Sequence, residues 1–288
     1  MRSSRRPLGG IPPTRTISID DLPEAAAAAS LQLRGALLAI LGNDLVSMWV
    51  HGGTTFADRP TRPGDLDIVA VIAKVDPGER TPRTWRADPG SRPSRVRDAE
   101  DSIAEGSGLA FDSTYLLLDD LGERRQPPMA FHRARRETSW AVSRAHWLAG
   151  QYVLLHGQPP EEFVVPPTSS EIRRALDREL EHLERHVLEG DADDPYEATY
   201  AIWNGARILR TLETGSPVIS KRSAGAWAIE HLPERWHAAI RAAGRSYDGV
   251  GTAADSETLR VTMAPFVSMV RGRLPARRSR AGARPRWS

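Results

Sequence analysis

The sequence contains no cysteine, and only two of its 39 lysine and arginine residues, Lys74 and Lys221, are lysines. The absence of cysteine excludes disulfides, thiolate metal sites and cysteine nucleophiles. Because basic side chains are nearly all arginine, a lysine at a functional position is conspicuous.

Long apolar runs are also missing. No uninterrupted run approaches the roughly 20 residues that span a bilayer, and the arginine-rich start lacks the apolar core of a signal peptide. We therefore expect a cytoplasmic protein with no membrane partner, and we expect a monomer. Its 288 residues leave room for two domains of ordinary size.

Charge is distributed unevenly along the chain. Residues 1–15 and 271–288 together carry eleven arginines and no acidic residue, whereas the net charge of the whole chain is only +2. Residues 16–270 therefore carry about −9, which favours a cationic small-molecule substrate. The two ends are rich in proline, glycine, arginine and serine, so we predict disordered basic tails over residues 1–18 and 272–288. Solvated tails are a simpler interpretation than binding to nucleic acid.

The first half of the chain, residues 19–157, combines helical and strand patterns. An apolar helix is predicted to end at Gly42, and a helix through Trp140 and Trp147 is expected to lead to Leu155. Between them lie three apolar stretches with strand patterning, at residues 45–51, 65–73 and 109–118.

The second half is helical in pattern. The proline-rich segment 157–167 is the predicted domain boundary, and Thr168 with Glu171 forms a capping box, the side-chain pattern that opens a helix. The predicted architecture is an α/β N-terminal domain, with a mixed sheet flanked by helices, and an all-α C-terminal helical bundle over residues 158–271. The helices of this bundle are predicted at 168–190, 194–215, 220–231, 234–243 and 255–271.

Two aspartates lie close together in the second predicted strand. Because side chains in a strand alternate between faces, Asp65 and Asp67 point the same way while Leu66 points into the core. An aspartate at a strand start is common in turns, so Asp65 alone is unremarkable. Asp67, within a run of leucine, isoleucine, valine and alanine, is costly to bury unless a metal or a partner compensates its charge. Mg²⁺, which prefers oxygen ligands, is the expected ion.

Two further features lie near this pair in the predicted fold. Gly53 and Thr54 follow the first strand, where backbone N–H groups and a hydroxyl can bind phosphate oxygens, although a glycine after a strand is also ordinary turn chemistry. Asp112 lies in the third strand and is a candidate to accept the proton of an attacking hydroxyl or to hold a second metal. The neighbouring Ser113 and Thr114 leave an exposed strand edge as the alternative.

These residues carry a family resemblance. Gly53-Thr54, with Asp65-Leu66-Asp67 eleven positions after Thr54 in an isoleucine- and valine-rich strand, resembles the signature of the polymerase-β-type nucleotidyltransferase superfamily. A closer resemblance is to the streptomycin/spectinomycin adenylyltransferases, which pair such a domain with a helical one. The second half shares this likeness in ATYAIWNGARILRTLETGSPVISKRSAGAWAIEHLP and RAAGRSYDG.

The resemblance implies roles for individual residues of the first half. Gly53 and Thr54 would hold the phosphates of ATP, and Asp65 and Asp67 would bind Mg²⁺. Asp112 falls where the family places its catalytic glutamate, with a side chain one methylene shorter.

In the helical half, Lys221 falls where the family has a nucleotide-contacting lysine, and Tyr247 falls where it has an aromatic residue near the nucleotide. Lys221 also stands out without the family, because a cation in the first turn of a helix is disfavoured unless an anion such as phosphate is bound there. A solvated lysine at a frayed helix end is the alternative interpretation.

The resemblance also implies a binding site for the antibiotic. Asp193 and Glu197 match acidic positions that the family uses to bind cationic groups, and they lie one helical turn apart. Asp194 and Glu197 fit a capping box as well, which would give Glu197 a structural role instead. Tyr200 stands where the family has a histidine.

Other aromatic residues have weaker assignments. Trp140 and His132 are nearby candidates for the family's substrate-stacking tryptophan. His51, at a strand end, fits a packed or solvated histidine better than a catalyst, so it is left unassigned.

The expected activity is Mg²⁺-dependent transfer of AMP from ATP to a hydroxyl of an aminoglycoside or aminocyclitol antibiotic. Two alternatives remain open. One is a nucleotidyltransferase with another acceptor, such as a small metabolite, a tRNA or a protein side chain. The other is a non-catalytic, nucleotide-binding regulatory protein.

Overall fold

The computed structural model describes residues 17–59, 65–75, 90–122, 139–189 and 194–274, together with the single residues 124, 127, 130 and 131. Asp193, His132 and almost all of the two predicted basic tails lie outside these ranges.

A four-stranded mixed sheet forms the centre of the first half. Its strands are β1 (Leu45–His51), β2 (Leu66–Ile72), β3 (Phe111–Leu117) and β4 (Val153–Gly157), in the spatial order β3-β2-β1-β4. Strand β1 is antiparallel to both β2 and β4, whereas β2 and β3 are parallel. The predicted mixed sheet is therefore confirmed.

Helices cover both faces of this sheet, because apolar side chains alternate between the two faces of each strand. Helices α1 (Glu24–Leu41) and α2 (Arg92–Ser107) pack on one face. The short α3 (Leu118–Leu121) and α4 (Trp140–Leu148) contribute to a second core on the other face. That second core includes Trp49, Val69, Val71, Leu116 and Trp147.

Helix α1 is the single described helix that is long and apolar enough to cross a membrane by length and composition. Its apolar face is used within the protein, since Ala26, Leu33 and Leu37 are fully buried and belong to the core under the sheet. One face of α1 thus packs in the core, while Leu31 and Leu38 are exposed.

The segment after α4 differs from the prediction. The sequence pattern predicts a helix through Trp147 to Leu155, but α4 ends at Leu148 and residues Val153–Gly157 form the edge strand β4. Gly150, with a φ of +77°, reverses the chain between them. A five-residue apolar run carries too little periodicity to distinguish a strand from the end of a helix.

Five α-helices are seen in the described residues of the second half: α5 (Ser169–Glu189), α6 (Pro195–Thr214), α7 (Lys221–His231), α8 (His237–Tyr247) and α9 (Ala253–Arg273). Helix α6 packs against α7, α8 and α9 and is largely buried.

Two predicted helix starts of this bundle are confirmed. Thr168 N–H donates to Glu171 Oε2 at 2.8 Å and Glu171 N–H donates to Thr168 Oγ1 at 3.2 Å, which is the predicted capping box. Asp194 caps α6, with its carboxylate accepting from Tyr196 N–H at 2.8 Å.

His146 of α4 connects the two halves. It is buried, and its Nε2 donates to the carbonyl oxygen of Pro217 at 3.0 Å. Burial, together with the positive charge of Arg207, lowers the pKa of His146 from 6.5 to about 4, although the bond to Pro217 opposes the shift.

This shift predicts a pH-dependent stability. The unfolded chain protonates this histidine near pH 6.5 but the folded protein does so only near pH 4, so stability falls as the pH decreases between these values. One such histidine costs about 1.4 kcal/mol of unfolding free energy per pH unit in that window. The test is chemical denaturation of wild type and His146→Gln, which keeps an N–H donor, at pH 7, 6 and 5. The variant should reduce the slope of unfolding free energy against pH by the equivalent of about one proton. An unchanged slope would contradict the assignment.

Candidate active site

Three carboxylates meet at one edge of the sheet. Asp67 is the register partner of Asp112 in the parallel pair β2–β3, and Asp65 directly precedes β2. Their carboxylate oxygens lie within 4.8 Å of one another. Asp65 and Asp112 are exposed and Asp67 is partly buried. Within the described ranges, this is the one group of three or more acidic or histidine side chains close enough to share a metal ion.

Gly52 allows the chain after β1 to pass directly beside Asp67. Its φ is +73°, in the left-handed region that favours glycine. A Cβ atom added at Gly52 would lie only 1.7 Å from Asp67 Oδ2. The glycine is therefore required twice, once by its backbone angle and once by the neighbouring carboxylate.

Gly53 and Thr54 lie in a single 3₁₀ turn, Gly52–Thr55, rather than at the start of a longer helix. Gly53 is exposed. Thr54 is buried, and its hydroxyl donates to the carbonyl oxygen of His51 at 3.3 Å. Gly53 therefore offers open backbone to a ligand, whereas the Thr54 hydroxyl would have to turn away from His51 to donate to a phosphate.

The helical half brings Lys221 and Tyr247 to this turn. The Tyr247 hydroxyl would lie 3.7 Å from a Cβ built on Gly53, which is ordinary contact distance. The Lys221 Nζ lies 5.6 Å from the centre of the Tyr247 ring and 5.2 Å from that of Tyr200. These distances allow cation–π attraction to both rings. The predicted nucleotide-side residues are thus brought together.

Electrostatics connect Lys221 to the carboxylate group. Burial lowers the pKa of Lys221, the charge of Arg207 lowers it further, and Asp65 and Asp67 act in the opposite direction. Burial likewise raises the pKa of Tyr247 to about 12, with Asp65 adding to the shift. Acidic groups from the sheet, Asp65 and Asp67, therefore interact with the basic groups Lys221 and Arg207 of the helices, and we call the region between them the cleft.

Arg207 on α6 is a member of this cleft that the sequence did not single out. Its Nη1 donates to Asn204 Oδ1 at 3.2 Å. Burial lowers its pKa, while Glu179, Tyr200, Tyr247 and Asp67 raise it. The available signal was helical spacing, because residues 200, 203, 204 and 207 fall on one face of α6.

The N-terminus of α7 holds an anion that belongs to the protein. The Asp58 carboxylate accepts hydrogen bonds from the hydroxyls of Ser220 and Ser223, both at 2.6 Å. Asp58 therefore supplies negative charge in this first turn, and phosphate binding by Lys221 stays a prediction.

The start of α6 carries Tyr196 and Glu197, a tyrosine and one of the two predicted antibiotic-binding acids. Tyr196 is 63% exposed, and burial, followed by the charge of Asp65, raises its pKa. Glu197 Oε2 lies 3.3 Å from His186 Nδ1, so the carboxylate reaches α5. The predicted partner Asp193 lies outside the described residues.

The structure also shows the contacts of Tyr200, Trp140 and His51. Tyr200 donates its hydroxyl to Glu179 Oε1 at 2.9 Å. Trp140 is 3% exposed and packs against Trp147, so it belongs to the core and does not line the cleft. His51 also packs edge-on against Trp147, and burial lowers its pKa to about 3, which fits the interpretation of a packed histidine.

Comparison with known proteins adds to this geometry. Residues 164–271 match the family model of the aminoglycoside adenylyltransferase C-terminal domain. The matched segment includes Lys221 and Tyr247. The curated proteins contain no significant sequence match.

The fold is similar to a crystal structure of spectinomycin adenyltransferase AAD(9) from Enterococcus faecialis with ATP and spectinomycin. The TM-score is 0.64 at 18% sequence identity, and the alignment covers 85% of this chain and 98% of that chain. In sequence, the helical half is thus similar to the C-terminal domain of aminoglycoside adenylyltransferases, and in fold the chain is similar to a spectinomycin adenyltransferase.

Proposed function

We propose that the protein transfers AMP from ATP to a hydroxyl of an aminoglycoside or aminocyclitol antibiotic. The observation that carries this proposal is the group of three carboxylates, Asp65, Asp67 and Asp112, together with the electrostatic influence of Asp65 and Asp67 on Lys221 and of Asp67 on Arg207. A metal–triphosphate group requires carboxylates for its metal and cations for its phosphates, and this cleft offers both.

The donor set of the cleft suits Mg²⁺. Three carboxylates with oxygens within 4.8 Å of one another provide hard oxygen ligands and leave room for phosphate oxygens from the substrate. Bound by Asp65 and Asp67, the ion would neutralise charge on the phosphates and acidify the attacking hydroxyl.

The nucleotide is proposed to lie between the Gly52–Thr55 turn and α7. Gly53 offers exposed backbone, and Lys221 and Arg207 supply positive charge to phosphate oxygens. Tyr247 lies against Gly53 and closes this side of the cleft. Burial destabilises the charged forms of Lys221 and Arg207 and so lowers their pKa values. A bound anion would offset this cost.

The acceptor is proposed to enter from the start of α6. Its hydroxyl oxygen forms a bond to the α-phosphorus, the bond from that phosphorus to the pyrophosphate oxygen breaks, and pyrophosphate leaves. The exposure of Asp112 at the carboxylate group supports a role as acceptor of the hydroxyl proton or as ligand of a second metal ion. Glu197, with Asp193 nearby in sequence, would attract the cationic groups of the acceptor.

The two lysines provide a matched pair of variants for the nucleotide assignment. Lys221→Ala should weaken Mg²⁺-ATP binding by roughly 10- to 100-fold, the usual cost of removing a hydrogen bond to a charged group. Lys74→Ala is the control, because Lys74 is exposed just beyond the far end of β2. Titration calorimetry with both variants measures the effect. Equal affinities in the two variants would remove Lys221 from the nucleotide site.

The acceptor class is tested by a screen of pyrophosphate release. The protein is incubated with Mg²⁺, each nucleoside triphosphate and a panel that includes spectinomycin, streptomycin, other aminoglycosides, neutral sugars and tRNA. Release from ATP with cationic aminoglycosides or aminocyclitols alone supports the proposal. Pyrophosphate release with tRNA or neutral acceptors would contradict the proposal. A failure of every compound in the panel to cause release would contradict it as well.

A further inference from the structure

A group of hydrogen bonds joins the first half of the chain to α7, beside the proposed nucleotide site. The Asp58 carboxylate accepts from the hydroxyls of Ser220 and Ser223. The carbonyl oxygen of Asp58 accepts from Arg222 Nε at 2.9 Å. These contacts span more than 160 positions of sequence, and we call the four residues Asp58, Ser220, Arg222 and Ser223 the Asp58 strap.

The strap reaches a second helix through Arg222. Its guanidinium forms a bidentate ion pair with Asp248, in which Nη1 donates to Oδ2 at 3.1 Å and Nη2 donates to Oδ1. Asp248 is the C-cap residue of α8 and directly follows Tyr247. A bidentate pair fixes orientation as well as distance, so Arg222 relates the end of α8 to the start of α7.

Asp58 is well suited to the N-terminus of α7. Ser220 is the N-cap residue, and its hydroxyl oxygen accepts from Ser223 N–H at 2.9 Å while donating its proton to Asp58. The carboxylate also lies near the positive end of the helix dipole. The hydroxyl groups and the helix dipole thus all favour an anion at this position.

Each element held by the strap carries a residue of the proposed nucleotide site. The turn before Asp58 carries Gly53, the first residue of α7 is Lys221, and the last residue of α8 is Tyr247. Lys221 directly follows Ser220, and Tyr247 directly precedes Asp248, so a shift of either partner displaces its neighbour.

We propose that Asp58 is a positioning residue for nucleotide binding, because it holds Lys221 and Tyr247 against the Gly52–Thr55 turn. This inference rests on the proposed function. Asp58 acts through the strap and is not assigned any contact with the substrate.

The test compares Mg²⁺-ATP affinity in wild type, Asp58→Ala, Asp58→Asn and the control Asp44→Ala. Asp44 pairs with Arg92 at 2.7 Å and precedes β1, at the end of that strand opposite the carboxylate group. Asp58→Ala should weaken binding about 10-fold. The ATP affinity of Asp58→Asn should lie between those of wild type and Asp58→Ala, since its amide oxygen still accepts a hydrogen bond. Asp44→Ala should bind ATP as tightly as wild type.

A double-mutant cycle distinguishes positioning from general destabilisation. If Asp58 acts through Ser223, then Ser223→Ala should weaken ATP binding in the wild-type background and have little further effect with Asp58→Ala. Losses of ATP affinity that simply add in the double variant would contradict the positioning role of Asp58. A loss of affinity in Asp44→Ala equal to that in Asp58→Ala would also overturn it.

Hydrogen exchange of the nucleotide-free proteins separates this inference from the proposed function. Asp58→Ala should accelerate exchange in peptides covering residues 53–59 and 220–231, whereas Asp44→Ala should not. Failure of the proposed function would appear as an absence of ATP binding in wild type. If wild type binds ATP and Asp58→Ala binds it equally well, the positioning role of Asp58 is contradicted while the proposed function stands. Unchanged hydrogen exchange in both segments would contradict that role in the same way.

Discussion

Replacing Asp67 by asparagine is expected to reduce turnover by roughly 100- to 1,000-fold, the range seen when one charge-stabilising group is removed from an active site. Asparagine keeps nearly the same shape and one oxygen, so the fold should persist. The missing charge removes a ligand from the group of three carboxylates whose oxygens lie within 4.8 Å. Steady-state rates with saturating ATP and acceptor measure the loss.

The matched control for this variant is Asp44→Asn, which removes a carboxylate from the opposite end of the sheet. We expect its rate to equal that of wild type. Near-normal turnover in Asp67→Asn would contradict the assignment of the whole carboxylate group. Equal losses in the two variants would mean that lowered stability, rather than a missing ligand, explains the effect.

Gly52→Ala is expected to have the second largest effect. The new Cβ would fall 1.7 Å from Asp67 Oδ2, so either the turn or the carboxylate must move. A displacement of about 1 Å in a catalytic group costs about 100-fold in rate. Gly52→Ala should therefore lose activity even where it remains folded, and its melting temperature should fall.

Gly215→Ala isolates the backbone cost in this comparison. Gly215 has a φ of +74°, almost the same as the +73° of Gly52, but a Cβ atom added at Gly215 would meet nothing within 4 Å. Each variant should lose about 1 kcal/mol of unfolding free energy from the strained angle. Only Gly52→Ala should lose turnover as well. Equal activities would show that the contact with Asp67 does not matter.

Much of the first half was predictable because local patterns coincided with tertiary packing. The alternation that placed Asp65 and Asp67 on one face of a strand is what the sheet requires. The parallel pairing that brings Asp112 beside Asp67 was not encoded locally. Resemblance to a family supplied that relationship, and the structure agrees with it.

Strand β4 marks a limit of what sequence patterns predict. Its five residues include Leu154, which is 38% exposed, and Leu155, which is buried. That run is too short to show a clear period of two. Its pairing with β1 depends on residues more than 100 positions away, and local propensity does not report such partners.

In the helical half, the helix starts were predictable from the sequence, whereas contacts between elements were not. The starts of α5 and α6 followed from Thr168, Glu171 and Asp194, because capping chemistry is local. The roles of Arg207 and Asp58 did not, because each depends on groups from other elements. In particular, Asp58 is an ordinary loop aspartate in sequence, and only the fold shows that it lies at the N-terminus of α7.

The most direct test of the account is the mass spectrum of spectinomycin and streptomycin after incubation with the protein, ATP and Mg²⁺. We predict that at least one of them gains the mass of one AMP unit, with release of an equal amount of pyrophosphate. With Asp67→Asn the gain should accumulate roughly 100- to 1,000-fold more slowly than with the wild-type protein. An unmodified antibiotic in the presence of wild-type protein that binds ATP, or modification by Asp67→Asn at a near wild-type rate, would contradict the central claim.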